Sequence, residues 1–189
     1  MTIPVSSSRR RLSGFSPEYA LLGFLDQAPA HGYELHQKLL THLGEIWHAS
    51  LSQTYNILNR LERRGFIEGT TLSQERRPDR REFHLTASGK ERYEAWLESL
   101  SPCSVRAIRV EFLTKLFFLE RRDPAVALQA IDAQTAALQE AIDRLRQKLR
   151  DLPVEGDFNY LGLSLRLRQL ETLVDWLREC KVSLARGIL

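Results

Sequence analysis

Between residues 50 and 65, Leu51, Tyr55, Leu58 and Leu61 recur at steps of three and four. Ser52, Asn56, Asn59 and Arg63 form a second stripe on another face, so the spacing predicts an amphipathic helix. Ser50 and Gln53 have capping-box spacing at its start, and Gly65 can take the left-handed conformation that stops it. Upstream, Ser16-Pro17-Glu18 predicts a helix start with Ser as the cap and Pro at the first helical position. Leu21, Leu22 and Leu25 supply the buried side of that helix, and Pro29 and Gly32 mark its exit. A second helix is expected over residues 32–43, with Tyr33, Leu39, Leu40 and Leu43 inward and Gly44 at its end. Three short helices with tight turns predict a helix-turn-helix whose last member enters a major groove.

After Gly65 the pattern switches to period two. Phe66 to Leu72 reads as one strand, Ser73 to Asp79 as a polar tip and Arg80 to Leu85 as the return. Phe83 and Leu85 point one way, Arg80, Glu82 and His84 the other, which predicts a two-stranded wing. Thr86 can cap a fourth helix with Tyr93, Trp96, Leu97 and Leu100 on its apolar side, and Ser101-Pro102 ends it. The chain is thus expected to divide into a mobile arm (1–15), a winged helix-turn-helix DNA-binding domain (16–100) and a helical dimerisation and effector domain (101–189).

In the second half, a helix over residues 104–122 holds Val105, Ile108, Phe112, Leu116 and Leu119 on one side, widened by Phe117 and Phe118. Asp123-Pro124 starts another, and Leu128, Ile131, Thr135, Leu138, Ile142, Leu145, Leu149 and Leu152 continue it as a heptad seam. Pro153 and Gly156 turn the chain. A last helix carrying Leu163, Leu167, Leu170, Val174 and Leu177 is then expected to fold back antiparallel. One chain offers too few partners to cover these apolar sides. A homodimer is therefore expected, its interface formed by Leu128, Ile131, Leu138, Ile142, Leu145, Leu170, Val174 and Leu177; a closed intrachain bundle is the alternative. The fold class is mainly α, an N-terminal winged helix-turn-helix followed by an all-helical, coiled-coil-like dimerisation domain.

Composition narrows the function. No apolar run in the 189 residues is long enough for a transmembrane helix and no signal peptide is visible, so a cytoplasmic protein without a membrane partner is expected. Cys103 and Cys180 lie far apart without a Cys-x-x-Cys motif, which fits a reducing compartment. The five histidines lack the i, i+4 spacing of a two-His metal site, and no nucleophile elbow or phosphate loop occurs. Neither an enzyme, a cofactor nor a metal is expected.

The net charge of +3 is modest and nearly balanced between the halves, so bulk charge does not argue for nucleic acid. Its distribution does: Arg60, Arg63, Arg64, Arg76, Arg77, Arg80 and Arg81 cluster around the third helix and the wing, as an electrostatic footprint requires. Ser52, Gln53, Asn56 and Asn59 supply groups that bond base edges, where the bland alternative is a solvated helix face. A two-fold dimer of such units would bind an imperfect palindrome of double-stranded DNA. Tyr19, Tyr93, Trp96, Phe117 and Phe118 are aromatic groups near the junction of the two halves, where a small aromatic effector could bind; they also read as plain core. The competing class is a protein-interaction module built on the coiled coil.

His31-Gly32-Tyr33-Glu34-Leu35, Tyr55-x-x-Leu58-x-x-Leu61-x-x-x-Gly65-x-Ile67 and Arg81-x-Phe83-x-Leu85-Thr86-x-x-Gly89 together resemble the PadR family of bacterial transcriptional regulators. The resemblance extends through Phe112-Leu113-x-Lys115-Leu116-Phe117-Phe118 and the Leu-rich helix around Trp176. It implies a dimeric winged-helix repressor with the long form of the C-terminal domain, whose members include repressors released by phenolic acids and virulence-gene activators. It also implies that Tyr55 and the basic wing contact the phosphate backbone. Asn56 stands where the family often has Pro, which would add base readout, and Phe83 stands where it usually has Tyr, which removes a hydroxyl.

Overall fold

The structure, a computed structural model, describes residues 16–74, 77–152 and 158–187, and omits the side chains at 72–80. The expected arm at 1–15 and Arg76 therefore lie outside the described residues, as do the side chains of Arg77 and Arg80.

Helix α1 (Glu18–Gln27) is capped by Pro17 and not by Ser16, whose hydroxyl instead accepts a hydrogen bond from Arg60. It buries Ala20, Leu21, Leu22, Phe24 and Leu25. A short strand that the sequence pattern did not indicate, β1 (Ala30–His31), precedes α2 (Gly32–Leu43), and α3 spans Leu51–Arg63. Strands β2 (Ile67–Gln74) and β3 (Arg77–Leu85) are longer than the period-two pattern suggested. They pair antiparallel from Ile67 opposite Leu85 outward, and β1 adds to the other edge of β3, giving the order β1-β3-β2. Helix α4 (Ala87–Glu98) follows, with Thr86 accepting the amide of Gly89 as cap.

Several helical faces are rotated from their expected positions. On α3 the inward set is Thr54, Ile57, Leu58 and Leu61, while Leu51 and Tyr55 are exposed. The reason is that Thr54 is satisfied inside: its hydroxyl donates to the Ser50 carbonyl and meets Nδ1 of the buried His36 at 3.0 Å, so a polar side chain can take a core position. On α2 Leu35, His36, Leu39 and Leu43 are buried, and Tyr33 and Leu40 face out. Leu100 lies past the end of α4 and is exposed, as is Val105 at the start of the next helix.

Residues 105–122 form a continuous helical stretch: α5 (Val105–Ala107), a π-helical turn (Ile108–Phe112) and α6 (Leu113–Arg122). The amide of Leu113 reaches back to Ile108 O, five residues upstream, which defines the widened turn. Asp123 then caps α7 (Pro124–Arg150) with Pro124 in the first turn, and α8 (Phe158–Ala185) returns antiparallel. Arg146 pairs with Glu171 at 2.7 Å and Lys181 with Asp132 at 2.6 Å across the two helices.

That pairing corrects the expected dimer seam. Ile131, Leu138, Ile142 and Leu145 of α7 and Leu170, Val174 and Leu177 of α8 are all buried within one chain, and Leu128 is half-buried against the same core. The heptad pattern correctly marks an apolar side, but the covering helix is the chain's own. What α8 leaves outside is a different set, Phe158, Leu161, Leu165 and Val182, exposed by half or more.

Candidate nucleic-acid interface

Helix α3 is closed at its first turn by a capping box. Ser50 Oγ accepts the amide of Gln53 at 3.2 Å and Gln53 Oε1 accepts the amide of Ser50 at 2.8 Å, satisfying two donors that the helix would otherwise leave free. At the other end Gly65 has φ +73°, the left-handed conformation that a side chain would oppose. With Thr54, Ile57, Leu58 and Leu61 inward, Ser52, Gln53, Tyr55, Asn56, Asn59, Arg63 and Arg64 all stand in solvent. Arg63 folds back onto the carbonyl of Asn59 at 3.3 Å.

Tyr55 is placed by Gly32. A Cβ at Gly32 would lie 2.6 Å from Tyr55 Cε1, so its absence lets the phenol settle against the first turn of α2. The α2 terminus is built in parallel, with Glu34 accepting the His31 amide at 3.2 Å and His31 Nδ1 lying 3.1 Å from the Arg81 carbonyl. The hydroxyl of Tyr55 and the start of α2 therefore share one edge of the α3 surface, where the positive end of a helix favours an anion.

Among the four clustered arginines whose side chains are described, Arg60 and Arg81 are committed to carboxylates of the same chain. Arg60 donates to Glu18 at 3.1 Å, and Glu18 also accepts Arg92 at 2.8 Å, so one carboxylate fastens α1 to both α3 and α4. Arg92 in turn lies over the rings of Tyr19 and Phe66. Arg81 donates to Glu62 at 2.5 Å, and the same Oε1 accepts the amide of Gly69, so Glu62 clasps β2 and β3 to α3. Sequence reading passed over Glu62; the available signal was a lone acid within the basic run.

The five aromatic side chains expected to bind an effector do come together, as packed core. Tyr19 stacks on Trp96 at 4.5 Å, Tyr93 meets Trp96 at 6.0 Å and Phe118 edge-on at 5.8 Å, and Phe117 meets Phe118 at 4.9 Å. Phe24 of α1 joins them. Burial raises the Tyr19 and Tyr93 phenols above their ordinary range, so both remain protonated donors. A surface cleft lies elsewhere, between Asp26, Pro29, His84 and Lys90.

Beneath the cluster runs a buried polar network. Lys115, 2 % exposed, donates to the Ser99 carbonyl at 2.6 Å, pairs with Glu111 at 3.2 Å and lies under the Trp96 ring. Burial lowers its pKa, and Glu111 opposes that shift. Gln134 of α7 both accepts from and donates to the backbone of Ser101. Cys103 and Cys180 are free, and burial pushes both thiols up, which disfavours the reactive thiolate. No described group of His, Cys, Asp or Glu has the makings of a metal site.

Two family models match the chain, the transcriptional regulator PadR-like family over residues 21–95 and the virulence activator alpha C-term family over residues 108–185. The negative transcriptional regulator PadR of Bacillus subtilis is 30% identical over 169 residues, covering 85% of this chain and 92% of the relative. A probable transcriptional regulator of Mycobacterium tuberculosis, Rv1176c, is 28% identical over 181 residues, 85% of this chain and 93% of the relative. Among solved structures, Bacillus subtilis PadR in complex with operator DNA matches at 26% identity over 88% of this chain and 98% of that one, with a TM-score of 0.44. The same protein with p-coumaric acid matches at 25% identity over 89% and 98%, with a TM-score of 0.40.

Proposed function

The chain belongs to the PadR-like family of transcriptional regulators, and from that premise we propose that it is a dimeric, sequence-specific DNA-binding repressor released by a small aromatic effector. The observation that carries this reading is the two-sided build of α3: one face is closed core, and the other presents Ser52, Gln53, Asn56, Asn59, Arg63 and Arg64 together. Asn56, Asn59, Gln53 and Ser52 read base edges, while Tyr55, Arg63, Arg64 and the wing residues Arg76, Arg77 and Arg80 hold phosphates. Arg60 and Arg81 act from behind, anchoring α3 and the wing through Glu18 and Glu62. The DNA-binding domain is residues 16–100 and the dimerisation and effector domain 101–189, a division supported by the separate family matches on either side. The protein acts by binding, not catalysis, in the cytoplasm.

The dimer face is the side of α8 that carries Phe158, Leu161 and Leu165, spaced i, i+3, i+7. Leu161→Glu combined with Leu165→Glu is expected to turn a dimer into a monomer in light scattering while leaving helical content intact. A dimer that survives both charges would move the interface off α8. The effector would bind at the aromatic cluster of Tyr19, Tyr93, Trp96, Phe117 and Phe118, where the two domains meet.

The test is titration of the protein into DNA from immediately upstream of its own gene beside a scrambled duplex, at about 0.15 M salt. Specific binding about 10³ or more tighter than to the scrambled duplex is expected. Asn59→Ala should then lose about 1–3 kcal/mol at a single base position, whereas Arg64→Ala should weaken all sequences and lower the salt slope by about one. Identical behaviour of the two variants on scrambled DNA would remove the assignment of roles.

A further inference from the structure

Three residues before the Ser50 cap, Trp47 leaves the turn between α2 and α3 and reaches the other half of the molecule: its indole Nε1 donates to Thr114 Oγ1 at 2.8 Å. Thr114 is 1 % exposed and sits two residues past the end of the π-helical turn. Its hydroxyl proton is already committed, to the carbonyl of Val110 at 2.5 Å. The oxygen is therefore oriented to accept, and an indole N–H can only donate, so the pair has a single bonding arrangement.

The backbone on the Trp47 side is equally fixed. The amides of Ile46 and Trp47 both donate to the Leu43 carbonyl, at 3.0 and 2.8 Å, which fixes Trp47 to the end of α2, and α2 is held to α3 by the buried His36–Thr54 contact. On the other side, α6 leads through the Asp123 cap into α7 and its packing with α8. Two other polar ties between the halves, Lys115 to Ser99 and Arg122 to Glu94, reach the end and the outer face of α4. Trp47 is the tie beside the reading helix. Mid-helix π turns are rare and frequently mark functional sites; here the widened turn lies close to the residue that receives Trp47.

We infer that Trp47 and Thr114 are positioning residues for DNA recognition: their hydrogen bond fixes α3 relative to α6, and through α6 to the dimer, and so sets the separation of the two reading helices. The inference rests on the operator reading above and adds what determines half-site spacing. A two-fold protein reads two half-sites only at the separation its own geometry dictates. Loosening the tie leaves each α3 able to read its half-site and frees the distance between them.

The experiment is selection from random duplex DNA by the full-length protein, Trp47→Phe, Thr114→Val and Thr114→Ser. The wild type should recover a two-fold motif at one spacing. Trp47→Phe keeps the ring without the N–H, and Thr114→Val keeps the shape without the acceptor; each should recover the same half-site at mixed spacings. Each should also lose about tenfold in preference for the wild-type spacing, the scale of one hydrogen bond. Thr114→Ser, which restores the hydroxyl, should return to the single spacing. Recovery of the single spacing by both Trp47→Phe and Thr114→Val overturns the inference, and so does a changed half-site motif, because a positioning residue leaves the reading surface of α3 intact. If the wild type itself enriches no motif, the operator reading fails and this inference fails with it.

Discussion

Gly89→Ala is expected to destabilise the winged-helix half by about 3 kcal/mol, the upper end of the usual overpacking range, and to abolish DNA binding. Gly89 lies in the first turn of α4, where a Cβ would collide with the carbonyl oxygen of Phe66 and stand 2.8 Å from Leu85 Cδ1. Neither neighbour can give way easily. The Phe66 carbonyl accepts the Thr86 amide, and Ile67, the next residue, begins the wing and pairs with Leu85. Thr86 and Ser88 both donate to the Gly65 carbonyl, at 2.7 and 2.9 Å, so the start of α4 is stitched to the end of α3 at the point where the methyl would intrude. Relief would require α4 to back away from the hairpin, uncovering Tyr93, Trp96 and Leu97. Gly162→Ala is the control, since nothing lies within 4 Å of a Cβ there and α8 should gain, on helix propensity, up to about 1 kcal/mol. Denaturant unfolding of the two variants checks the pair of expectations; an unchanged midpoint for Gly89→Ala would mean that α4 is free to shift.

Leu177→Ala is expected to cost about 2–5 kcal/mol, and to cost the same whether or not the protein is dimeric. Leu177 is fully buried, as are Leu138 and Leu170 nearby in the α7–α8 pair. Removing its side chain leaves a cavity that two long helices pinned by Arg146–Glu171 and Lys181–Asp132 cannot close by collapsing. A residue in a subunit interface would behave differently, because its loss would vanish once the dimer had dissociated. The comparison is a cycle in the background of Leu161→Glu with Leu165→Glu. Equal destabilisation of dimer and monomer is the expected result, and a loss confined to the dimer would return Leu177 to the interface.

The caps and stops were legible because they are local. Ser50 with Gln53, Gly65, Thr86 and Asp123 each satisfy groups within three residues of themselves, so their spacing in the chain is already their geometry. The polar stripe of α3 was legible for a related reason: once Leu58 and Leu61 are inside, helical period alone sends Asn56, Asn59 and Arg63 outward. Tyr55, Leu51, Tyr33 and Leu40 were misread as core because apolar character gives the probable side of a helix, while the partner gives the actual one. Thr54 took the inward place only because His36, on another helix, bonds its hydroxyl.

By itself, then, the sequence determined the order of the main helices, the wing, the family and the polar stripe of α3. Tertiary structure decided which arginines remain for that surface, since Arg60 and Arg81 are claimed by Glu18 and Glu62, 42 and 19 residues away in the chain. It decided that the α7 seam closes on α8 of the same chain, leaving Phe158, Leu161 and Leu165 outside. It also decided that Trp47, in the turn before α3, donates to Thr114 in the other half of the chain. The physical reason is common to all three: periodicity and capping are set by bonds along the backbone, whereas a salt bridge, a covered seam or a buried hydroxyl is set by whichever distant group the fold brings within about 3 Å.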